Sequence, residues 1–158
     1  MIKLGSTTIT PAGIAKVMLG TVKVFEKLSG KNLLNPATVP DDNKFINRNS
    51  GATTAPSATG GTWRYSDYIP IIGGTQYFFG QIHATATTAG SAWYDSNQDF
   101  ISGVNATALK NADGILASPA NAAYLRHSWR IDEGYNTDWE HTVYICVNGD
   151  LDHWEPYA

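Results

Sequence analysis

The sequence predicts an all-β protein in which a short N-terminal β-hairpin region is followed by an antiparallel β-sandwich or jelly roll. Apolar and polar residues alternate with period two in residues 1–27, and the rest of the chain has many short apolar or aromatic runs separated by turn residues. No long segment has helical periodicity. The chain of 158 residues has the length of one principal domain with a small appendage.

Residues 1–27 are predicted to form a distinct β unit. Period-two alternation begins at Ile2, is interrupted by Pro11-Ala12-Gly13 and resumes around a turn at Gly20-Thr21. The pattern predicts a hairpin or three short antiparallel strands. A helix over Ala12–Leu19 is the competing prediction, because Ala, Lys, Met and Leu favour helices. A hairpin this small is marginal alone in water, so we expect it to dock on the main domain, on symmetry-related copies or on another protein.

Residues 28–158 are predicted to form the sandwich, with Ser29-Gly30-Lys31 as the joint. Short apolar or aromatic runs predict strands at Lys44–Asn47, Thr62–Tyr68, Gln76–His83, Ser91–Asp95, Ala122–Ile131 and His141–Asn148. Turn-forming residues predict loops at Thr53–Gly61, Pro70–Gly74, Asn97–Asp99 and Asn148-Gly149-Asp150. Residues 104–117 fit a loop or a weak strand.

Charge and hydropathy exclude several classes of partner. Charged residues make up 16% of the chain, the net charge is -3 and the basic residues are scattered. A nucleic-acid binder needs a basic stripe and a membrane-surface protein needs a polybasic patch, so neither partner is expected. No window is apolar enough to span a bilayer. The N-terminus lacks the continuous apolar segment of a signal peptide, so we expect synthesis in a cytoplasm and, if the protein acts outside a cell, exit by a route other than a cleaved N-terminal signal.

Residue types that bind metals or attack substrates lack the spacing that these roles require. Cys146 lies in an apolar run and is interpreted as a core residue. The segment 95–99 has the alternating oxygen ligands of a calcium loop, but Phe100 and Ala106 stand where an EF-hand needs Gly and an acid, so we predict a capped turn. No metal-ligand spacing links the histidines, and ordinary surface or core positions are predicted for His83, His127, His141 and His153.

Catalysis is not expected. Asp132-Glu133 and the pair Asp138 and Glu140 are the densest acidic clusters, and paired carboxylates are what a glycosidase uses. Both clusters lie in predicted loops, where acids normally belong to solvated turns. The sequence has no Gly-x-Ser-x-Gly elbow and no phosphate-binding loop. We therefore predict no catalytic residue, no metal and no cofactor.

Aromatic residues are the remaining candidates for ligand binding. The chain has five Trp and eight Tyr residues. Flat apolar rings stack on sugar faces, and polar neighbours bind the sugar hydroxyls. The alternative is that these rings fill the core, as Trp does in many sandwiches. Trp139 beside Asp138, in a polar loop, is the first candidate, and Trp63, Arg64 and Tyr65 follow.

Several segments of residues 31–158 resemble, in order, a module that is common in phage tail and fibre proteins. Lys31-Asn32-Leu33-Leu34-Asn35-Pro36 resembles its "NLFNP" opening, and Trp154-Glu155-Pro156-Tyr157 resembles its "YEPY" end. Gly73 departs from the pattern, in which Pro is common there, and leaves a more flexible turn. The other segments that resemble the module are Ser66-Asp67-Tyr68-Ile69-Pro70, Gly73-Gly74-Thr75-Gln76-Tyr77, Trp93-Tyr94-Asp95-Ser96-Asn97, Phe100-Ile101-Ser102-Gly103 and Pro119-Ala120-Asn121-Ala122-Ala123-Tyr124-Leu125-Arg126.

The resemblance implies an antiparallel jelly-roll β-sandwich, similar to carbohydrate-binding modules and carried on a virion, without catalytic activity. We expect a bacteriophage virion appendage, a fibre protein, whose residues 28–158 face outward and recognise a host cell-surface polysaccharide. Residues 1–27 are expected to contact other virion proteins or to form a homo-oligomer, with a trimer favoured. One alternative is a purely architectural capsid-decoration or baseplate protein, whose aromatic rings are buried in the core or at protein interfaces. Another is a carbohydrate-active enzyme, with two acids facing each other across a groove.

Overall fold

The computed structural model describes residues 32–80, 86–112, 114–132 and 138–147, together with the backbone of four strands in the N-terminal region. Antiparallel strands dominate, which confirms the predicted all-β class. The described residues include two short helices, α1 (Ala106–Asn111) and α2 (Trp139–Thr142), and Pro36–Thr38 forms a 3-10 turn. The strands are β1 (Ile2–Leu4), β2 (Thr7–Ile9), β3 (Lys16–Leu19), β4 (Val22–Glu26), β5 (Phe45–Ile46), β6 (Thr53–Thr54), β7 (Trp63–Tyr65), β8 (Ile69–Pro70), β9 (Gln76–Phe79), β10 (Gly90–Tyr94), β11 (Phe100–Asn105), β12 (Ile115–Ala117), β13 (Tyr124–Arg130) and β14 (Ile145–Val147).

The N-terminal region contains two antiparallel strand pairs. β1 pairs with β2, and β3 pairs with β4 with a register shift between Val17 and Met18. The predicted short antiparallel strands are therefore confirmed, but the described backbone has four of them in two pairs rather than a hairpin or three strands. The competing helix over Ala12–Leu19 is wrong at Lys16–Leu19, which is strand β3, because the alternating pattern there continues into β4. Residues 12–15 lie outside the described residues.

The larger sheet has five strands, in the order β11-β10-β13-β7, with β8 also paired to β13. Its central strand β13 directs alternate side chains to opposite faces. Leu125, His127 and Trp129 are buried on one face, and Ser128 lies on the other. In the antiparallel register, Ser128 pairs with Tyr65 and Trp129 pairs with Arg64. Paired residues lie on the same face of a sheet, so Tyr65 is on the face of Ser128 and Arg64 is on the face of Trp129.

A second sheet, in the order β12-β9-β14, packs on the face that carries Leu125, His127 and Trp129. The rings of Tyr77 and Trp93 lie 6.1 Å apart, and those of Phe79 and His127 lie 5.2 Å apart, so the two sheets meet through aromatic contacts. This sandwich-like core is where most of the apolar burial occurs. It contains the buried residues Leu34, Ile69, Tyr77, Phe79, Trp93, Leu109, Ala122, Leu125, Trp129, Val143 and Ile145.

The opposite face of the larger sheet is covered by the short β5–β6 pair. The backbone N–H of Ile46 donates a hydrogen bond to Ser128 Oγ over 2.6 Å, which joins β5 to β13. Ile46 packs with Tyr65, Ala92 and Tyr94, and farther along the sheet Phe45 packs with Trp63 and Ala89. Trp63 and Trp129 therefore lie on opposite faces of one sheet, a division that organises the candidate site.

Two predicted segments differ from the structure by a short helix. The interpretation of residues 104–117 as a loop or weak strand is wrong over α1: the side chain of Asn105 caps the helix by accepting a hydrogen bond from Ala108 N–H, and Leu109 is fully buried. The predicted strand His141–Asn148 is wrong at its start, where α2 occupies 139–142, and is confirmed at Ile145–Val147. At α1, burial of Leu109 overrides weak strand propensity.

Each of the other predicted strands overlaps an observed strand. β5, β7, β9 and β13 are shorter than predicted, whereas β10 has the predicted length and lies one residue earlier in the chain. Residues 81–83 and 148 lie outside the described residues. β6 falls inside the predicted loop Thr53–Gly61, and β8 overlaps the predicted loop Pro70–Gly74 at Pro70, because each strand has two residues and gives no alternating pattern. Asp95 caps its own turn, as predicted, by accepting hydrogen bonds from Asn97 N–H at 2.8 Å and from Asp99 N–H at 3.0 Å.

Neither described helix has the length or the apolar character that crossing a bilayer requires.

Candidate ligand-binding groove

A groove of about 460 Å³ opens beside Trp63, on the face of the larger sheet that β5 covers. We refer to it as the Trp63 groove. Trp63 and Phe45 contribute the aromatic part of its lining. The remaining lining residues are Pro56, Ser57 and Gly60 from the loop before β7, the segment 86–89 before β10, and Thr107 from α1.

The floor of the groove is apolar. The rings of Phe45 and Trp63 lie 5.7 Å apart at an angle of 57°, and Ala89 packs against them. Trp63 is 4% exposed and Phe45 is 9% exposed, so each ring presents only a small part of its surface to the groove. The floor is therefore a rigid surface rather than a pair of projecting rings, and it offers apolar contact without loss of side-chain freedom on binding.

The rim of the groove carries hydroxyl groups. Ser57, Thr87 and Thr88 are exposed residues of the lining, and each hydroxyl both donates and accepts hydrogen bonds. Thr107 Oγ1 lies 3.4 Å from the carbonyl oxygen of Ala86, a contact that joins α1 to the segment 86–89. No lining residue in the described part of the chain carries a charge.

The wall formed by residues 56–60 is held against the floor. Trp63 Nε1 donates a hydrogen bond to the carbonyl oxygen of Gly60 over 2.8 Å, and Gly60 N–H donates to the carbonyl oxygen of Ser57 over 2.8 Å. On the other side of Trp63, its backbone N–H donates to Asn43 Oδ1 over 2.9 Å. These contacts fix the tryptophan and the loop as one unit.

An ion pair of Arg130 with Asp132 holds the chain at Thr62, just after this wall. Arg130 Nη2 contacts Asp132 Oδ2, and Thr62 N–H donates to Asp132 Oδ1. Burial raises the pKa of Asp132, but hydrogen bonds from Arg130 and Thr62 outweigh it, and the net pKa is lower than usual. Gly61 has a φ of 81° and would bring a β-carbon against both charged side chains. We call Arg130, Asp132 and Gly61 the wall clamp.

The structure separates the three predicted site residues of β7. Trp63 lines the groove, and Arg64 points to the opposite face of the sheet, where it pairs with Asp41. Tyr65 shares the face of Trp63 but is 6% exposed, and its hydroxyl donates to Asp42 Oδ2 over 3.2 Å. Of this set, the described groove contains Trp63 alone.

Trp139 and Asp138 lie at a different place from Trp63. Trp139 begins α2 and is partly buried, with its ring 5.3 Å from that of Trp129, and Asp138 is the exposed residue at the N-cap. Because Trp129 pairs with Arg64, it faces away from Trp63. Trp139 therefore packs on the side of the sheet opposite to the Trp63 groove. The rest of the predicted loop, 135–137, lies outside the described residues.

The sequence gives little indication of the remaining groove residues. Phe45 belongs to a predicted strand, and its role depends on the packing of β5 over β7, which no local pattern specifies. The hydroxyl residues come from the separate segments 57, 86–89 and 107. In the sequence these residues share only their place in Thr- and Ser-rich segments between strands, and such segments are equally typical of ordinary loops.

The other residues considered for chemistry have structural surroundings. His127 is buried, shares a hydrogen bond with Ser91 Oγ at 2.9 Å and stacks on Trp129. Burial lowers the pKa of His127 to about 3, so the imidazole is neutral at physiological pH. Cys146 is fully buried in β14. In the described ranges, no three His, Cys, Asp or Glu residues come together as a set of metal ligands.

Comparison with protein-family models, with curated proteins and with solved structures gives no match for this chain.

Proposed function

We propose that this chain is a bacteriophage virion appendage protein, a fibre component, whose outward-facing domain binds host surface glycan in the Trp63 groove. The proposal takes residues 28–158 as a jelly-roll sandwich, in line with the segments that resemble phage tail and fibre modules. The observation that carries the binding proposal is the groove itself. It combines an apolar floor of Phe45 and Trp63 with a rim of uncharged hydroxyl groups.

The proposed activity is binding without catalysis. Glycoside hydrolysis requires two carboxyl groups that face each other across the bound sugar. The described lining of the Trp63 groove contains neither Asp nor Glu. Asp132, the acidic residue that supports the wall, is engaged by Arg130 and by Thr62 N–H. A groove of this composition supports recognition of a sugar and offers no acid–base pair.

The test is binding of the full-length chain to a panel of immobilised bacterial capsular polysaccharides and O-antigens. Thr88→Trp places a large side chain in the rim, and Thr88 is exposed, so the fold is expected to tolerate it. Ser96→Trp, at the tip of the β10–β11 turn, is the matched control, since Ser96 is also an exposed hydroxyl residue. Trp139→Ala tests whether Trp139, the first ligand-binding candidate predicted from the sequence, contributes to binding.

The proposal expects at least one polysaccharide that binds the wild type, Ser96→Trp and Trp139→Ala alike. Thr88→Trp is expected to weaken that binding by about tenfold or more, a loss of about 1.4 kcal/mol. Binding that survives Thr88→Trp and disappears in Trp139→Ala would place the glycan site at α2 instead. No binding to any polysaccharide, with the chain still assembling onto virions, would support the architectural alternative.

The architectural alternative is favoured by one observation. Trp63, Trp93 and Trp129 are each less exposed than 5%, with values of 4%, 2% and 3%, as expected of aromatic residues that serve the core. A capsid-decoration or baseplate protein needs no ligand groove. The polysaccharide panel separates the two functions directly.

The N-terminal strand pairs are proposed to attach the appendage to other virion proteins and to hold a homotrimer together. Two-stranded pairs of this length are marginal alone, so burial against a partner would stabilise them. Light scattering of the purified full-length chain is expected to give the mass of a trimer. A monomer would contradict intrinsic trimerisation and leave attachment to another protein as the role of residues 1–27.

A further inference from the structure

We infer that the Trp63 groove selects uncharged saccharides and discriminates against sugars that carry a carboxylate or an ammonium group. The inference rests on the proposed glycan binding and adds the chemical class of the ligand. Bacterial surface polysaccharides include both neutral and acidic repeats, so the charge of the bound sugar divides the possible ligands into two groups.

The lining of the groove offers neutral partners. Hydroxyl groups of Ser57, Thr87 and Thr88 stand at the rim, and the apolar floor lies beneath them. A sugar presents hydroxyl groups at its edge and C–H groups on its faces. Hydroxyl–hydroxyl hydrogen bonds and apolar contact match this surface without any charged group.

The charged residues next to the floor in the sequence are each paired with an acidic side chain. Lys44 precedes Phe45 in the chain and binds Asp42 Oδ2 at 2.7 Å. Arg64 follows Trp63 and pairs with Asp41. Neither Lys44 nor Arg64 belongs to the described lining of the groove. Arg64 alternates with Trp63 in β7 and therefore lies on the other face of the sheet.

The wall clamp also adds no net charge to the groove. Arg130 lies opposite Trp63 in the β13–β7 register, on the same face of the sheet, but its guanidinium contacts Asp132. The lowered pKa of Asp132 keeps the carboxylate ionised at neutral pH, so the pair stays neutral overall. A carboxylate brought into the groove would lose water and find no described counter-charge in the lining, which is unfavourable.

Ligand-observed saturation-transfer NMR with the full-length chain tests this inference. The neutral probes are the methyl glycosides of glucose, galactose, mannose and N-acetylglucosamine. The charged probes are glucuronic acid, galacturonic acid, N-acetylneuraminic acid and glucosamine. Thr88→Trp identifies which signals arise from the groove, and Ser96→Trp serves as its control.

We expect groove-dependent signals from at least one neutral probe and weaker or absent signals from its charged counterpart. Binding of the neutral probe is expected to change less than about twofold between about 50 mM and 500 mM salt, because no ion pair is screened. Thr88→Lys, which adds a cation to the rim, is expected to shift preference toward glucuronic acid and to make that binding salt-dependent. Ser96→Lys is expected to leave the preference unchanged.

Stronger groove-dependent binding of the acidic probes by the wild type would overturn the inference on charge and leave the proposed glycan binding intact. Absence of groove-dependent binding by all probes, together with a negative polysaccharide panel, would overturn both. The two failures are therefore distinguishable.

Discussion

The indole Nε1–H of Trp63 donates a hydrogen bond to the carbonyl oxygen of Gly60 over 2.8 Å, and this contact joins the floor of the groove to its wall. The same tryptophan is 96% buried, so it contributes to the groove mainly by holding the floor and the wall in position. A binding surface of this kind is set before the ligand arrives, and its affinity depends on contacts behind the lining as well as in it.

Trp63→Phe is expected to destabilise the fold by about 1–3 kcal/mol, since it removes a hydrogen bond and leaves a void in a packed cluster. Glycan affinity is expected to fall as well, because the 56–60 wall loses its anchor on the floor. Urea denaturation and the polysaccharide assay measure the two effects. Trp139→Phe is the control, and equal glycan affinity of wild type and Trp63→Phe would contradict the role of this hydrogen bond.

Gly61→Ala is expected to be more destabilising than Gly74→Ala. Both glycines have positive φ, 81° and 73°, so each alanine costs about 1 kcal/mol or more of backbone strain. A β-carbon at Gly74 meets no atom within 4 Å, whereas one at Gly61 meets Asp132 and Arg130. The difference in thermal stability between the two variants measures the steric contribution of the contacts with Asp132 and Arg130. Equal losses of stability would show that these side chains move aside without a loss of free energy.

Asp132→Asn is expected to cost about 1 kcal/mol of stability at neutral pH, because it removes the charge from a partly exposed ion pair. The lowered pKa of Asp132 means that this stabilisation is present above the unfolded value of 3.8 and is lost as the pH falls through the folded pKa. The wild type and the variant should therefore converge in stability in acid. Asp42→Asn, whose carboxylate binds Lys44, is the control for glycan affinity, and only Asp132→Asn is expected to weaken binding.

His127 is expected to make the fold sensitive to acid. Its pKa is about 3 when folded, against 6.5 unfolded, because burial disfavours the imidazolium. The unfolded chain therefore takes up the proton first, and stability falls by about 1.4 kcal/mol per pH unit between these values. Urea denaturation at several pH values between 7 and about 4.5 is expected to give a flatter profile for His127→Gln than for the wild type. Identical profiles would show that His127 gains protons equally in both states.

The fold class was predictable because alternation and turn residues are local signals. β10 and β13 appear in the sequence as short aromatic-rich runs, and both are central strands of the larger sheet. The helix α1 was not predictable in this way, since it depends on Asn105 as a cap and on burial of Leu109. β6 and β8, with two residues each, are set by their partner strands rather than by propensity.

The candidate site was predictable only in part. Trp63 is a residue type that binds sugars, and the structure places it in a groove. Arg64 is the neighbour of Trp63 in the sequence, but side chains alternate along β7, so Arg64 lies on the other face of the sheet. Trp139 follows polar loop residues in the sequence, yet its ring packs on Trp129. The sequence shows which residues are neighbours along the chain, whereas the groove joins Phe45, Trp63 and Thr88 across three separate segments.

The most direct test of the central claim is the response of the tryptophan indole N–H signals in a ¹H–¹⁵N spectrum of the full-length chain, titrated with a saccharide that binds it. Trp63→Phe and Trp139→Phe assign the two decisive signals. Binding in the Trp63 groove predicts that the Trp63 signal and backbone signals of 86–89 shift together, while the Trp139 signal stays in place. A shift of the Trp139 signal with an unchanged Trp63 signal would contradict the account and place the ligand on the opposite face of the sheet.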